Sequence, residues 1–411
     1  MGSVSKKIQQ VGKSVMALLS ARTVNLLLMA LFSILLGREL GAEQFGIFSI
    51  SLIIMRLFRT ITEAGYEIKI PRDAANNPEH IKSLLLEARD LKNLLWLIVL
   101  LPASVAGYLI IGEAVFIVAL FWIYPFGVSS SLMSLLRGID KMGVLARIES
   151  FVKASLFLVN ILWIFILPDL YLIFATFVVF EIIASLILWR AVSKHSGTAL
   201  PAFSELWKIN FGSEKFKKEI LSEQLRLTGL NFLTVIQFRM STLALGIFAT
   251  NTAVGLFSAG QRFLTFMRII PHSVMNVLLP EFSRENEEQH FSSLIMISAV
   301  IGALFSYLLW EFAEPLMMLT FRFEDAIPVL QILAWTFFPL MVKSSAEAYL
   351  IARHKEKIVN ITFSISAVII FVVILLFINT LGALAAALAA LFGELFAAVT
   401  LLIAAAFGKK N

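Results

Sequence analysis

Residues 36–71, LGRELGAEQFGIFSISLIIMRLFRTITEAGYEIKIP, and residues 245–280, LGIFATNTAVGLFSAGQRFLTFMRIIPHSVMNVLLP, align without a gap at an offset of 209. The alignment pairs Gly37 with Gly246, Gly46 with Gly255, Phe48 with Phe257, Ser49 with Ser258, Arg59 with Arg268, Ile61 with Ile270 and Pro71 with Pro280. Matched leucines carry little weight in a chain that is 59% hydrophobic. Matched glycines, a proline and an arginine inside an apolar run are harder to obtain by chance, and internal repetition of this kind marks transporter folds. Two further stretches extend the repeat. LFGELFAA around Glu394 resembles VVFEIIAS around Glu181 at an offset of 213, and Ser129 and Ser130 match Ser344 and Ser345 at 215. We therefore expect two halves, 1–200 and 201–411, with a cytoplasmic linker over 193–222.

Composition sets the class. With 15% charged residues and a mean hydropathy of +0.87, the chain is too apolar for a soluble domain and reads as an all-α polytopic membrane protein. Runs long enough to cross a ~30 Å hydrocarbon core as helices fall near 15–36, 45–68, 93–112, 114–136, 148–167, 170–190, 223–248, 252–279, 291–311, 326–351, 357–378 and 381–406. These are twelve spans, six per half. An even number per half makes the repeats parallel, two lobes related by an axis along the membrane normal. Residues 78–92 are expected as an amphipathic helix on the cytoplasmic surface, and 311–326 as an external loop.

Loop charge supports the count. Lys6, Lys7 and Lys13, the group from Lys69 to Lys92, Arg137 with Lys141 and Arg147, the 190–218 cluster, and Lys409 with Lys410 all fall in one set of segments; the opposite set carries Arg38 and Arg322. The positive-inside rule then puts both termini and the linker in the cytoplasm.

Cations also lie inside the spans: Arg22, Arg56, Arg59, Arg239, Arg262, Arg268 and Lys343 among them, against Glu63, Glu181, Glu347 and Glu394 as acids at comparable depth. An ionised arginine at the bilayer centre costs at least ~2.5–3.5 kcal/mol, so such groups face a bundle interior or a wet cavity. The excess of cations implies an anion, and the substrate is the natural candidate. Arg56, Arg59 and Glu63 share one helix face, where Arg59 and Glu63 at i, i+4 can also simply pair. Arg262 and Arg268 have no acid within a helical turn, which makes them the better substrate candidates. Lys153 and Arg226 read as snorkelling side chains near a cytoplasmic end. Helix-bending prolines are expected at Pro102, Pro125, Pro271, Pro328 and Pro339. His272, alone after Pro271, reads as hydrogen-bonded structure before a proton relay.

Absences narrow the function. The chain has no cysteine and hence no disulfide or thiolate metal site. It has no GxxxxGK[ST] loop for ATP, and no segment large enough for a separate catalytic fold. No catalytic residue, cofactor or nucleic-acid partner is expected, and a metal site is left open.

The run LLSARTVNLLLMALFSILLGRELGAEQFGIFSISLIIMRLFRTITEAGYEIKIPRDAA resembles the first two helices of the Wzx-type polysaccharide flippases. These belong to the multidrug/oligosaccharidyl-lipid/polysaccharide (MOP) exporter superfamily. FEDAIPVLQILAWTFFPLMVKSSAEAYLIARHKEKIVNI resembles the family's tenth span and the loop after it, and LGALAAALAALFGELFAAV its last span. The sequence departs from the lipid II flippases of that superfamily, which usually carry two extra C-terminal spans. The resemblance implies two six-helix lobes around a central cavity lined by spans one, two, seven and eight, the spans that carry Arg22, Arg56, Arg59, Arg239, Arg262 and Arg268. It also implies a prokaryotic cytoplasmic membrane. The implied substrate is a polyprenyl-pyrophosphate-linked oligosaccharide, moved to the outer leaflet by alternating access, with membrane lipids and other polysaccharide assembly proteins as partners. Arginine forks suit a pyrophosphate. Glu63, Glu181 and Glu394 are candidates for coupling to Na+ or H+, with Lys343 as a structural partner. For Glu181 and Glu394 a buried salt bridge within each lobe is the competing reading. The alternatives are a cation-coupled multidrug extruder, which would favour an acidic cavity, and a membrane-embedded glycan polymerase or ligase, which would need a larger external loop.

Overall fold

The computed structural model describes residues 2–209, 239–268, 270, 271, 274, 291–353 and 355–407, with the backbone alone for 2–24, 26, 78 and 407. Among them every regular element is helical. The chain divides into two compact units, Met1–Glu39 with Ser51–Val235 and Leu40–Ile50 with Ile236–Asn411. The segment 40–50 opens the second span of the first repeat, yet it belongs to the second unit.

Helix α1 spans Gly2–Glu63 and is interrupted at Gly41, where φ 81° and ψ 174° suit only glycine. The two expected opening spans are the arms on either side of it. In the first unit there follow α2 (Tyr66–Asn76), α3 (Ile81–Ile111), α4 (Val115–Phe121), α5 (Ile123–Gly138), α6 (Met142–Ile166) and α7 (Leu170–His195). Helix α5 packs on α2, α3 and α7, and α7 also on α4 and α6. The expected surface helix over 78–92 does not exist as a separate element: α3 runs unbroken from Ile81 through the third span. Its stripe Ile81, Leu84, Leu85, Ala88 and Leu91 packs into an apolar core with Tyr66, Leu132, Leu136 and Leu206, so it is held by the protein rather than by a membrane surface. Pro102 lies within this helix without ending it. The start of the expected linker is likewise docked. Trp189 Nε1, Arg89 Nη1, Tyr124 Oη and Asn93 Nδ2 donate to the carbonyls of Pro201, Glu205, Trp207 and Lys208 at 3.1, 2.6, 2.6 and 3.2 Å.

The second unit contains α8 (Arg239–Phe248), α9 (Asn251–Met267), α10 (Phe291–Glu311), α11 (Ala313–Thr320), α12 (Ile327–Ala334), α13 (Phe337–Ala352), α14 (Glu356–Leu381) and α15 (Ala383–Phe407). Helices α14 and α15 pack along each other, and α13 packs on α10 and α15. The segment 311–326, expected as an external loop with room for a partial re-entrant segment, carries α11 and a 3-10 turn at Glu324–Ala326. Residues 40–50 pack on α9 through the repeat-related glycines. A Cβ on Gly46 would lie 1.8 Å from the Asn251 carbonyl oxygen, and one on Gly255 1.8 Å from that of Ala42. Ala42 and Asn251 are themselves partners at the 209 offset, so the crossing is reciprocal and both of its close approaches require glycine.

Both units break the helix at one repeat position. The fourth span divides into α4 and α5 at Trp122 and the tenth into α12 and α13 at Trp335 and Thr336. Pro125 and Pro339 follow the breaks and cannot donate to the turn before them.

Nine helical segments among the described residues are long and apolar enough to cross a membrane, the first of them, Leu27–Asn76, containing the Gly41 break. The expected spans 223–248 and 252–279 lie only partly within the described residues, as α8 and α9. Large apolar side chains point outward: Leu101 and Leu109 on α3 are 72% and 78% exposed and Ile166 on α6 71%. Such surfaces are compatible with hydrocarbon rather than water. The protein is an all-helical, multi-pass membrane protein.

Candidate functional site

In the first unit, Arg59 stands on the second arm of α1. Its guanidinium lies 4.4 Å from the centroid of the Phe126 ring and 3.8 Å from the Glu67 carboxylate. Arg56 is half-buried one turn earlier. The i, i+4 pair of Arg59 with Glu63 does not form. Glu63 turns instead to Lys92, at 2.8 Å, and both side chains are buried. Lys92 Nζ also donates to Ser130 Oγ and Ser131 Oγ, each at 2.9 Å, and to the Gly127 carbonyl at 3.2 Å. Lys92 borders an apolar run and so reads from sequence as one of the cytoplasmic loop charges. The one available signal was its place on the inward stripe of 81–92.

Glu181 on α7 is the first unit's other intramembrane acid. It accepts from Trp122 Nε1 at 2.9 Å and from the Ser129 hydroxyl. Lys153, expected to snorkel, is paired with Glu149 at 2.7 Å.

In the second unit, Arg268 caps the C-terminus of α9. The acid that its own helix does not supply comes from α15: Glu394 lies 3.6 Å from Arg268 and 2.5 Å from Lys343. The absence of an acid within a turn therefore did not mean an unpaired arginine, since the partner is more than 120 residues away in sequence. Arg239 lies within Coulombic reach of Arg268, and Arg262 within reach of Arg239. Arg262 is also 5.9 Å from the centroid of the Phe45 ring. The three arginines thus form a chain from Arg262 through Arg239 to Arg268, of which Arg268 meets a carboxylate that Lys343 also neutralises, while Glu347 sits within reach of Lys343 and Glu394. Arg59 Nε and Arg268 Nε, the repeat-related pair, are both buried with no hydrogen-bond acceptor among the described residues. The side chain of Arg22, and Arg226, His272 and Pro280, lie outside what the structure describes.

Among the described residues the salt bridge expected for Glu181 and Glu394 forms only at Glu394. Among the described residues no group of three His, Asp or Glu gathers to hold a metal ion.

Comparison with known proteins gives one fold. The structure is similar to a lipid II flippase, MurJ, in an inward closed conformation, with a TM-score of 0.68 at 14% identity over 95% of this chain and 87% of that one. It is similar to an inward-facing multidrug resistance MATE transporter of the MOP superfamily, with a TM-score of 0.67 at 15% identity over 95% and 97%. A MOP superfamily transporter from Pyrococcus furiosus, for which a binding pocket of reverse polarity is described, matches with a TM-score of 0.58 at 14% identity over 96% and 93%. No curated protein sequence matches the chain. At these identities the likenesses establish the MOP-type fold. The sequence pattern described as "Polysaccharide biosynthesis protein" matches residues 11–285, two thirds of the length, and the chain therefore belongs to the polysaccharide biosynthesis protein family.

Proposed function

We propose that this protein is a flippase that carries a polyprenyl-pyrophosphate-linked oligosaccharide from the cytoplasmic to the outer leaflet by alternating access. The family supports a role in polysaccharide assembly, and a lipid II flippase shares the fold. The observation that carries the reading is the pair of repeat-related arginines, each with a buried Nε–H that has no acceptor among the described residues. A buried donor without a partner is costly, and an anionic headgroup supplies both the charge and the acceptor.

Arg262 and Arg268, with Arg239 beside them, hold the pyrophosphate in the second unit. Arg59, the repeat equivalent of Arg268, with Arg56 and Arg22 supplies the cations of the first repeat. Guanidinium forks take phosphate oxygens in pairs and stay ionised in an apolar setting. Phe45 and Phe126 support Arg262 and Arg59 from the ring face. The cytoplasmic orientation of both termini and of the 193–222 segment is part of the proposal.

The test is reconstitution into vesicles with a defined polyprenyl-pyrophosphate oligosaccharide, scoring transfer between leaflets. Arg262→Ala and Arg268→Ala should each lower transfer by about a hundredfold, from about 3 kcal/mol of lost charge-assisted binding, and lysine at either position should restore it only in part. Transfer at the parent rate in both alanine variants overturns the pyrophosphate role. A multidrug substrate transported in place of the lipid-linked sugar overturns the function.

A further inference from the structure

The repeat makes Glu181 and Glu394 equivalent at an offset of 213, but the two carboxylates are held differently. Glu394 has two cations, Lys343 at 2.5 Å and Arg268 at 3.6 Å. At Glu181 both are missing. The offset of 215 that matches Ser129 and Ser130 to Ser344 and Ser345 sets Val128 opposite Lys343. Arg59, the equivalent of Arg268, is engaged with Phe126 and Glu67. Among the described residues the two Glu181 oxygens receive only neutral donors, Trp122 Nε1 on Oε2 at 2.9 Å and the Ser129 hydroxyl on Oε1.

Every helix packed near Glu181 contributes to its surroundings. The α4–α5 break and α5 offer Trp122 and Ser129. From α6 comes Lys153, already paired with Glu149 at 2.7 Å, and from α1 comes Arg59. Both lie within Coulombic reach of Glu181, but among the described residues no cationic nitrogen comes within 4 Å of it.

We propose that Glu181 is a reversible proton-binding site, the first unit's counterpart of a carboxylate that the second unit has permanently neutralised. An ionised carboxylate with only neutral donors at membrane depth is costly, and taking one proton removes the charge. The hydrogen bonding suits both states. Ser129 Oγ lies within reach of two acceptors, Glu181 Oε1 and the Phe126 carbonyl at 3.2 Å. When a proton from water adds to Oε1, the new O–H donates to Ser129 Oγ, and the serine hydrogen turns to Phe126. Trp122 continues to donate to Oε2, which becomes the acid's carbonyl oxygen. Neither state leaves a donor or acceptor without a partner. The same arrangement disfavours a metal cation, because the indole N–H is a donor only and cannot ligate one. Loading from one side of the membrane and release to the other would couple the proton gradient to transport, a role that rests on the flippase reading; proton binding itself does not.

The experiment is infrared difference spectroscopy of the purified full chain in lipid nanodiscs between acid and alkaline buffer. The parent should show the C=O stretch of a buried carboxylic acid that appears on acidification. Glu181→Gln, the neutral isostere of the protonated form, should lose it, and Glu394→Gln should keep it. Val128→Lys, which restores the cation of the second repeat, should also abolish the signal while leaving the carboxylate in place. A band that persists in Glu181→Gln, that is absent from the parent, or that responds to Na+ at fixed pH overturns the site. In proteoliposomes, Glu181→Gln should lose the dependence of leaflet transfer on an imposed pH gradient, and retention of that dependence overturns coupling. If the parent transfers no lipid-linked sugar but shows the titrating band, the flippase reading fails and the proton site stands.

Discussion

The first unit places its buried ion pair at Lys92 and Glu63, one cation to one carboxylate, enclosed by Ser130, Ser131 and the Gly127 carbonyl. The second unit has Glu394 between Lys343 and Arg268, and at the position of Ser130 it has Ser345, hydrogen-bonded to Ser298 at 2.7 Å with no charge involved. The repeat has kept positions and exchanged partners. A one-to-one pair is intolerant, because losing either member leaves the other as an uncompensated buried charge. A carboxylate with two cations tolerates the loss of one, and that leaves Arg268 able to serve a substrate without the unit losing its fold.

The largest expected effect tests the intolerant pair. Lys92→Ala should destabilise the protein by about 3–5 kcal/mol, seen as poor accumulation in the membrane and a lower unfolding temperature. Lys92→Met combined with Glu63→Gln should recover most of it; a Lys92→Ala protein as stable as the parent would remove the contrast between the units. Next is the glycine crossing. Gly46→Ala and Gly255→Ala should each cost about 1–3 kcal/mol, because the added methyl meets a backbone carbonyl at 1.8 Å rather than the end of a mobile side chain. Equal losses would show that the two sides of the crossing are equivalent in energy as well as in sequence. Lys343→Ala should cost only about 1–2 kcal/mol, since Arg268 remains beside Glu394. Adding Arg268→Ala should cost more than the sum of the single changes, and plain additivity would mean that the two cations do not share the carboxylate. The smallest change is Lys153→Ala, about 0.5 kcal/mol or less, for a half-exposed i, i+4 pair whose removal should leave the thermal midpoint nearly unmoved.

Much of the fold was legible because its signals are local. The glycines at 46 and 255 and the arginines at 59 and 268 appear in the 209 offset, and the helices follow from apolar runs whose length matches a bilayer. Pro125 and Pro339 announced the bends of the fourth and tenth spans. The partners were not legible. The i, i+4 rule offered Glu63 to Arg59, whereas Glu63 lies against Lys92 of another helix. Arg268 had no acid in its own turn, and its partner is Glu394 on α15. The surface helix expected over 78–92 was judged by its amphipathic pattern, and such a pattern does not tell a membrane surface from the apolar core that receives α3.

The sequence by itself determined that this is a helical membrane protein whose halves match at a near-constant offset, with an excess of cations inside its apolar runs, because hydropathy, offset and charge count are properties of the chain in order. Only the tertiary structure decided which carboxylate neutralises which cation, that residues 40–50 join the second unit, and that Glu181 has neutral donors where Glu394 has two positive charges. Ion pairing inside a membrane protein is settled by distances of a few ångströms between helices far apart in the chain. At low dielectric those distances set the energy.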